Sequence, residues 1–91
     1  MPGTPTVLAL AGELDINVRD DLREQILAAV ADGDVTLDLD QVTFIDSEAL
    51  SALIDGYNTA RECGTRFGVI NAHGLVERVL AVSGTLDLFR S

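Results

Sequence analysis

Strict alternation marks the clearest element of the chain. In Val35–Asp40, Val35, Leu37 and Leu39 fall on one side and Thr36, Asp38 and Asp40 on the other. That is the period of a half-exposed strand. Ahead of it, Val18, Leu22, Ile26, Ala29 and Val30 recur at helical spacing, with Arg19, Asp20, Arg23 and Glu24 largely opposite. This predicts an amphipathic helix of about four turns. Asn17 stands where its N-cap belongs, with Asp20 three residues on, close to a capping box, and Gly33 suits its C-terminal end. A second helical face runs through Leu50, Leu53, Ile54, Tyr57 and Ala60 and ends at Gly64. A third places Leu75, Val76, Val79 and Leu80 inward, with Gly84 beyond its end.

The remaining apolar runs read as strands. Val7–Ala11 is expected as a buried strand, followed by a loop, GELDI. The stretch RFGVIN gives a short strand, and LDLF near the end a last one. The order β-α-β-α-β-α-β predicts one α/β domain with a mostly parallel sheet of about four strands and crossover helices. Its core would span residues 6–89, with residues 1–5 flexible. In such sheets the working face lies at the carboxyl ends of the strands. Two loops there, GELDIN and FIDSEA, both carry acids immediately before a helix.

Composition narrows the function. A chain of 91 residues buries a little over ~60% of its unfolded surface. With no Trp and few aromatics, its core must be Leu, Val, Ile and Ala. Fifteen acids against six arginines, with no lysine, leave a net charge of −9. Such a surface repels nucleic acid and anionic membranes, so neither nucleic-acid binding nor membrane insertion is expected. Docking would favour a partner with a basic patch. The lone Cys63 excludes an intramolecular disulfide and reads as a half-buried, inert thiol. The opening MPGTPTVLAL has neither a basic region nor a long apolar run. A cytoplasmic, reducing setting is therefore expected.

The stretch TFIDSEALSALI poses the chemical question. Phe44 and Ile45, both reading as buried, run into Asp46, Ser47 and Glu48 just where a helix begins. Ser47 could cap that helix, at about 1 kcal/mol; Asp46 could cap it instead. The alternative is a modifiable serine. A phosphate there would add about −1.5 to −2 charges. The helix end favours it by roughly 0.3–1 kcal/mol, while Asp46 and Glu48 oppose it. The fold should survive, but a partner docked over the loop would not tolerate it equally, which makes a binding switch. Catalysis has no support. Ser47 is not in a G-x-S-x-G elbow, and His73 is a lone loop histidine. The acids of DGDVTLDLD lack the glycine and glutamate positions of a calcium loop. There is no Cys/His metal cluster. No enzyme activity, metal or cofactor is expected.

The segments GELDINVRDDLREQIL, LDLDQVTFIDSEALSAL and VERVLAVSGTLDLF resemble, in order and over Val7–Phe89, the STAS domain of bacterial anti-sigma factor antagonists. The G-E-L-D turn is intact at Gly12–Asp15, and Ser83 and Gly84, with Leu86, are close to a later S-G-L segment. The resemblance implies a transcription regulator, an anti-anti-sigma factor. Unmodified, it would bind an anti-sigma factor, often itself an ATP-dependent serine kinase, and so free a sigma factor. Phosphorylation of Ser47 would end the binding, and a phosphatase would reset it. The implied partner surface comprises Asp15, Asn17, Asp46, Ser47, Glu48, Leu50 and Ser51. Where the family favours Ser-Gly-Leu-Gly after the serine, this chain has Glu48, Ala49, Leu50 and Ser51. A strand usual in the family before the first one has only Met1–Pro5 to form it, which would leave an open sheet edge for a homodimer. The alternative reading is a STAS accessory subunit of a membrane lipid-transport ABC complex, needing no phosphorylation.

Overall fold

In a computed structural model that describes residues 5–90, the elements run β1 (Thr6–Leu14), α1 (Arg19–Asp32), β2 (Val35–Ile45), α2 (Ser47–Cys63), β3 (Phe67–Ile70), α3 (Gly74–Val82) and α4 (Thr85–Arg90). The expected flexible region Met1–Pro5 lies outside the described residues except for Pro5, which is exposed and in no strand. The sheet is parallel in the order β1-β2-β3. Among the described residues it has three strands rather than four, because LDLF is helical. The burial period decides that segment: Thr85 and Phe89 are buried four residues apart while Asp87 and Leu88 are exposed. Phe89 drives its ring between Tyr57 and Phe67, edge-on to both at 5.9 and 5.7 Å. A strand would have turned it to the same side as Asp87.

The alternation of β2 holds where it was strict, with Val35, Leu37 and Leu39 all buried. Beyond that the inward positions are Val42 and Ile45, three residues apart. The cause is two register shifts against β1, at Ala9/Ala11 and Gly12/Glu13, which give β2 an extra residue each time. Phe44 therefore faces outward, 36% exposed, and is not a core residue. Gly12 lies between the shifts at φ +79°, a backbone state that glycine reaches without strain. GEL thus stays in the strand as a bulged continuation, Gly12 pairing with Val42 and Leu14 with Ile45; of the expected loop GELDI, Asp15 and Ile16 leave it. β1 is an edge strand with one face out, Val7 being 61% exposed, so it is not the buried strand expected.

The helices pack by their predicted stripes. Leu22, Ile26, Ala29 and Val30 of α1 and Leu50, Leu53 and Ala60 of α2 are buried, and the two helices lie along one another. In α3, Val76 and Leu80 are buried but Leu75 is 53% exposed, because it stands one residue off that stripe. Gly64 closes α2 at φ +74°, its N–H turned back to the last turn. Cys63, beside it, is exposed rather than half-buried, since α2 buries its opposite side.

Polar groups tie the strands at both ends. Asp34 Oδ1 accepts from Arg66 N–H at 2.9 Å. Asp38 Oδ1 accepts from Asp40 N–H and from Asn71 Nδ2, each at 3.0 Å. The Asn71 bond, then the Asp40 bond, hold the Asp38 carboxyl below its ordinary value of 3.8. A lowered native value means stability that is fully present above the ordinary carboxylate range and lost as pH falls through the native value. Replacing Asn71 by Ala should raise the Asp38 midpoint in an NMR acid titration and shrink the acid-dependent loss of stability. An unmoved midpoint would contradict the assignment.

Candidate functional site

The two acid-bearing loops meet at the carboxyl ends of β1 and β2. The junction is built on Asp46. Its backbone N–H donates to Leu14 O at 3.0 Å. One carboxylate oxygen accepts from Ala49 N–H at 2.9 Å, capping α2, and the other accepts from Ile16 N–H at 3.1 Å. With φ −103° and ψ 178° it is extended, as an N-cap should be. Asp46, not Ser47, is therefore the cap, and a single side chain both starts α2 and holds the β1–α1 loop against it.

Ser47 is released by this. It is the first helical residue of α2 and exposed, and no hydrogen bond of its hydroxyl is found among the described residues. Asp15 Oδ1 accepts from Asn17 N–H at 3.0 Å, a local turn that Asx side chains favour. Asn17 is in consequence a turn residue and not a cap. α1 begins two residues later, after Val18, which has no capping side chain.

Glu48 is held within the chain. Arg19 Nη1 lies 3.2 Å from its Oε2, and Arg19 Nε lies 3.3 Å from Asp20. The hydrogen bond to Asp20, then the charge of Asp20, then Glu48 raise the Arg19 pKa above its ordinary value. The compensating cation for Glu48 is thus the first residue of α1. Sequence reasoning missed it by treating Arg19 only as part of a solvent face. Its position directly after the GELDIN loop was the available signal.

The N-terminal turn of α2 looks both ways. Ser51 faces α1, in a groove with Arg19, Arg23 and Asp55. There Arg23 Nε pairs with Asp55 at 3.0 Å. Ser47 and Leu50 face α3, across a groove of about 430 Å³ walled by Arg78, Val79, Val82 and Ser83. The structure accordingly brings together Asp15, Asp46, Ser47 and Glu48, puts Leu50 beside them, and sends Ser51 to the other side. The α3 wall was not foreseen; the helical stripe read for α3 named only its inward residues.

His73 is accounted for structurally: its Nε2–H donates to Asp40 O at 2.8 Å. Among the described residues no group of three or more His, Cys, Asp or Glu is arranged to hold a metal ion. No described helix is long and apolar enough to cross a membrane.

Comparison with solved structures finds the same fold. A protein assigned as an anti-sigma factor antagonist from Thermotoga maritima superposes with a TM-score of 0.81 at 23% identity, covering 88% of this chain and 71% of that one. The anti-sigma factor antagonist SpoIIAA in its unphosphorylated form gives 0.81 at 21% identity, covering 97% and 78%. A sulfate transporter family protein from Wolinella succinogenes gives 0.78 at 17% identity, covering 93% and 70%. The family described as "Mlab, STAS domain" matches residues 1–89. This nearly full-length match makes the chain a member of the STAS domain family, and the parallel sheet with its crossover helices agrees with it.

Proposed function

We propose that this protein is an anti-sigma factor antagonist, a binding protein and not an enzyme, whose docking surface is the β1–α1 loop and the first turn of α2. One observation carries the reading: Ser47 stands exposed with its capping duty taken by Asp46, while the acids on either side are already compensated. The likeness in fold to SpoIIAA and to the Thermotoga protein supports it. The partner is an anti-sigma factor with serine kinase activity and a basic patch to meet a surface of net charge −9. In the switching step the Ser47 oxygen takes the terminal phosphoryl group of ATP; the β–γ bond breaks, ADP leaves and the hydroxyl proton is lost. A phosphatase returns the serine by hydrolysis, water cleaving the phosphate ester and inorganic phosphate leaving. The setting is the cytoplasm, where sigma factors and ATP are found. The open edge of β1 supports a homodimer as a further association.

Phosphate on Ser47 should weaken partner binding at least ~100-fold, about 3 kcal/mol, because docking strips the water that screens like charges. The check is incubation with the kinase and ATP, location of phosphate by mass spectrometry, and titration calorimetry of both forms. A phosphorylated Ser47 that leaves affinity unchanged overturns the switch.

A second reading, a STAS accessory subunit of a membrane lipid-transport ABC complex, is favoured by Glu48, a fixed carboxylate where the family pattern has a neutral serine. It expects a membrane-associated ATPase to co-purify in place of a soluble kinase, and Ser47→Ala to be silent.

A further inference from the structure

The groove between α2 and α3 is almost wholly apolar and is bordered by Ser47 from one helix and Arg78 from the other. Its walls are Leu50, Val79 and Val82. Val82 is 84% exposed, while Leu50 is buried and Val79 half-buried. Arg78, like Arg66 at the other end of the strands, has no ion pair and no side-chain hydrogen bond among the described residues, whereas Arg19 and Arg23 are paired with acids and Arg61 lies over the Tyr57 ring at 5.8 Å. Arg78 is exposed, and its charge is unclaimed among the described residues. The acids that flank Ser47 do not claim it. Both oxygens of Asp46 are taken by backbone N–H groups, and Glu48 turns to Arg19 on the α1 side.

Ser47 on α2 and Arg78 on α3 thus stand on the two sides of one apolar groove. We propose that Arg78 is the residue that holds a phosphate carried by Ser47, so that the phosphorylated side chain folds across the groove to α3. This rests on the phosphoswitch reading and adds to it a place for the phosphate. A guanidinium presents a planar fork matched to phosphate oxygens. The apolar walls exclude part of the water that would screen the pair. The pairing has two consequences. It offsets the cost of a third anion beside Asp46 and Glu48, so the phosphorylated domain stays folded. It also covers Leu50, Val79 and Val82 and removes the cation of that groove from any docking partner.

The test uses the full chain with phosphoserine installed at position 47 during translation, so neither kinase nor partner enters. Phosphorus NMR follows the second ionisation of the phosphate with pH. Arg78→Gln should raise its midpoint by about 0.5–1 pH unit, the size expected for loss of one partly screened charge a few ångströms away. Arg78→Lys should recover part of the difference, keeping the charge without the fork. Arg66→Gln is the control; it removes the same charge at the opposite ends of the strands, where Arg66 N–H meets Asp34, and should leave the midpoint in place. Arg78 is exposed, so both replacements keep the fold. An Arg78→Gln midpoint equal to that of the unsubstituted chain, or an equal rise in the Arg66→Gln control, overturns the proposal. A rise confined to Arg78→Gln supports it, whatever the binding titration shows. Such a rise without any loss of partner affinity on phosphorylation would instead count against the switch, so the two failures are told apart.

Discussion

Replacing Asp46 by Ala should destabilise the protein by about 2 kcal/mol, while Ser47→Ala stays within about 0.5 kcal/mol. Two bonds disappear in the first case. The cap to Ala49 N–H contributes about 1 kcal/mol. The bond from Ile16 N–H, also to an ionised acceptor, contributes about 1 kcal/mol more at an exposed site. The side chain spans thirty residues of sequence, so its loss frees the β1–α1 loop as well as the end of α2. For a domain of this size the melting temperature should fall by roughly 8–16 °C. Asp46→Asn sharpens the test. An amide keeps one acceptor oxygen and puts a donor where the other stood, so it should retain about half of the stability. Thermal unfolding of the three variants at one pH decides the matter. Equal, small losses for Asp46→Ala and Ser47→Ala would mean that Asp46 clamps nothing. The separation of roles matters for function: if Ser47 carried the cap, modifying it would risk the helix, whereas a serine relieved of structural duty can be modified with the fold intact.

What the sequence made legible follows from how local each signal is. The α1 and α2 stripes and the strict part of β2 depend on neighbours within a turn or a pleat, and they stand as read. The last segment failed because Leu86, Asp87 and Leu88 alternate by chance over three residues, too short a run to separate a period of 2 from one of 3.6. Phe89, packed between Tyr57 and Phe67, settled it through contacts more than twenty residues away. The bulges of β2 are equally non-local: nothing within QVTFI says that β1 will pair short, so Phe44 read as core. At the site, the D-S pair was visible, but the choice between two adjacent capping residues turned on backbone geometry. The partner of Glu48 was hidden by distance in sequence, since Arg19 stands twenty-nine residues away and reaches it only through the packing of α1 on α2.

That packing depends on Gly56, and a double-mutant cycle with Ile26 should show it. Gly56 is buried in α2. A Cβ added there would overlap Ile26 Cγ2 and approach Phe67 Cε2 to 2.9 Å and Cζ to 3.2 Å. Two terms compete in Gly56→Ala. Helix propensity favours Ala by about 1 kcal/mol. Overpacking a filled core costs about 1–3 kcal/mol. Neither obstacle is a loose chain end: Ile26 is 0% exposed and Phe67 4%, and the χ1 of a β-branched residue in a helix is stiff. Overpacking should win, for a net loss of about 1 kcal/mol. Ile26→Ala alone leaves a cavity and should cost about 3 kcal/mol. It also removes Cγ2, the atom in the way, so the methyl introduced by Gly56→Ala enters space just vacated. The double variant should then be more stable than the sum of the single losses by about 1–2 kcal/mol, well above the error for independent sites. Ile26→Val keeps Cγ2 and trims only the end of the chain, so paired with Gly56→Ala it should show little of this coupling. Urea unfolding at constant m-value measures all five variants. Additive losses with Ile26→Ala would place the close approach of α1 and α2 elsewhere, and with it the lever that brings Arg19 to Glu48.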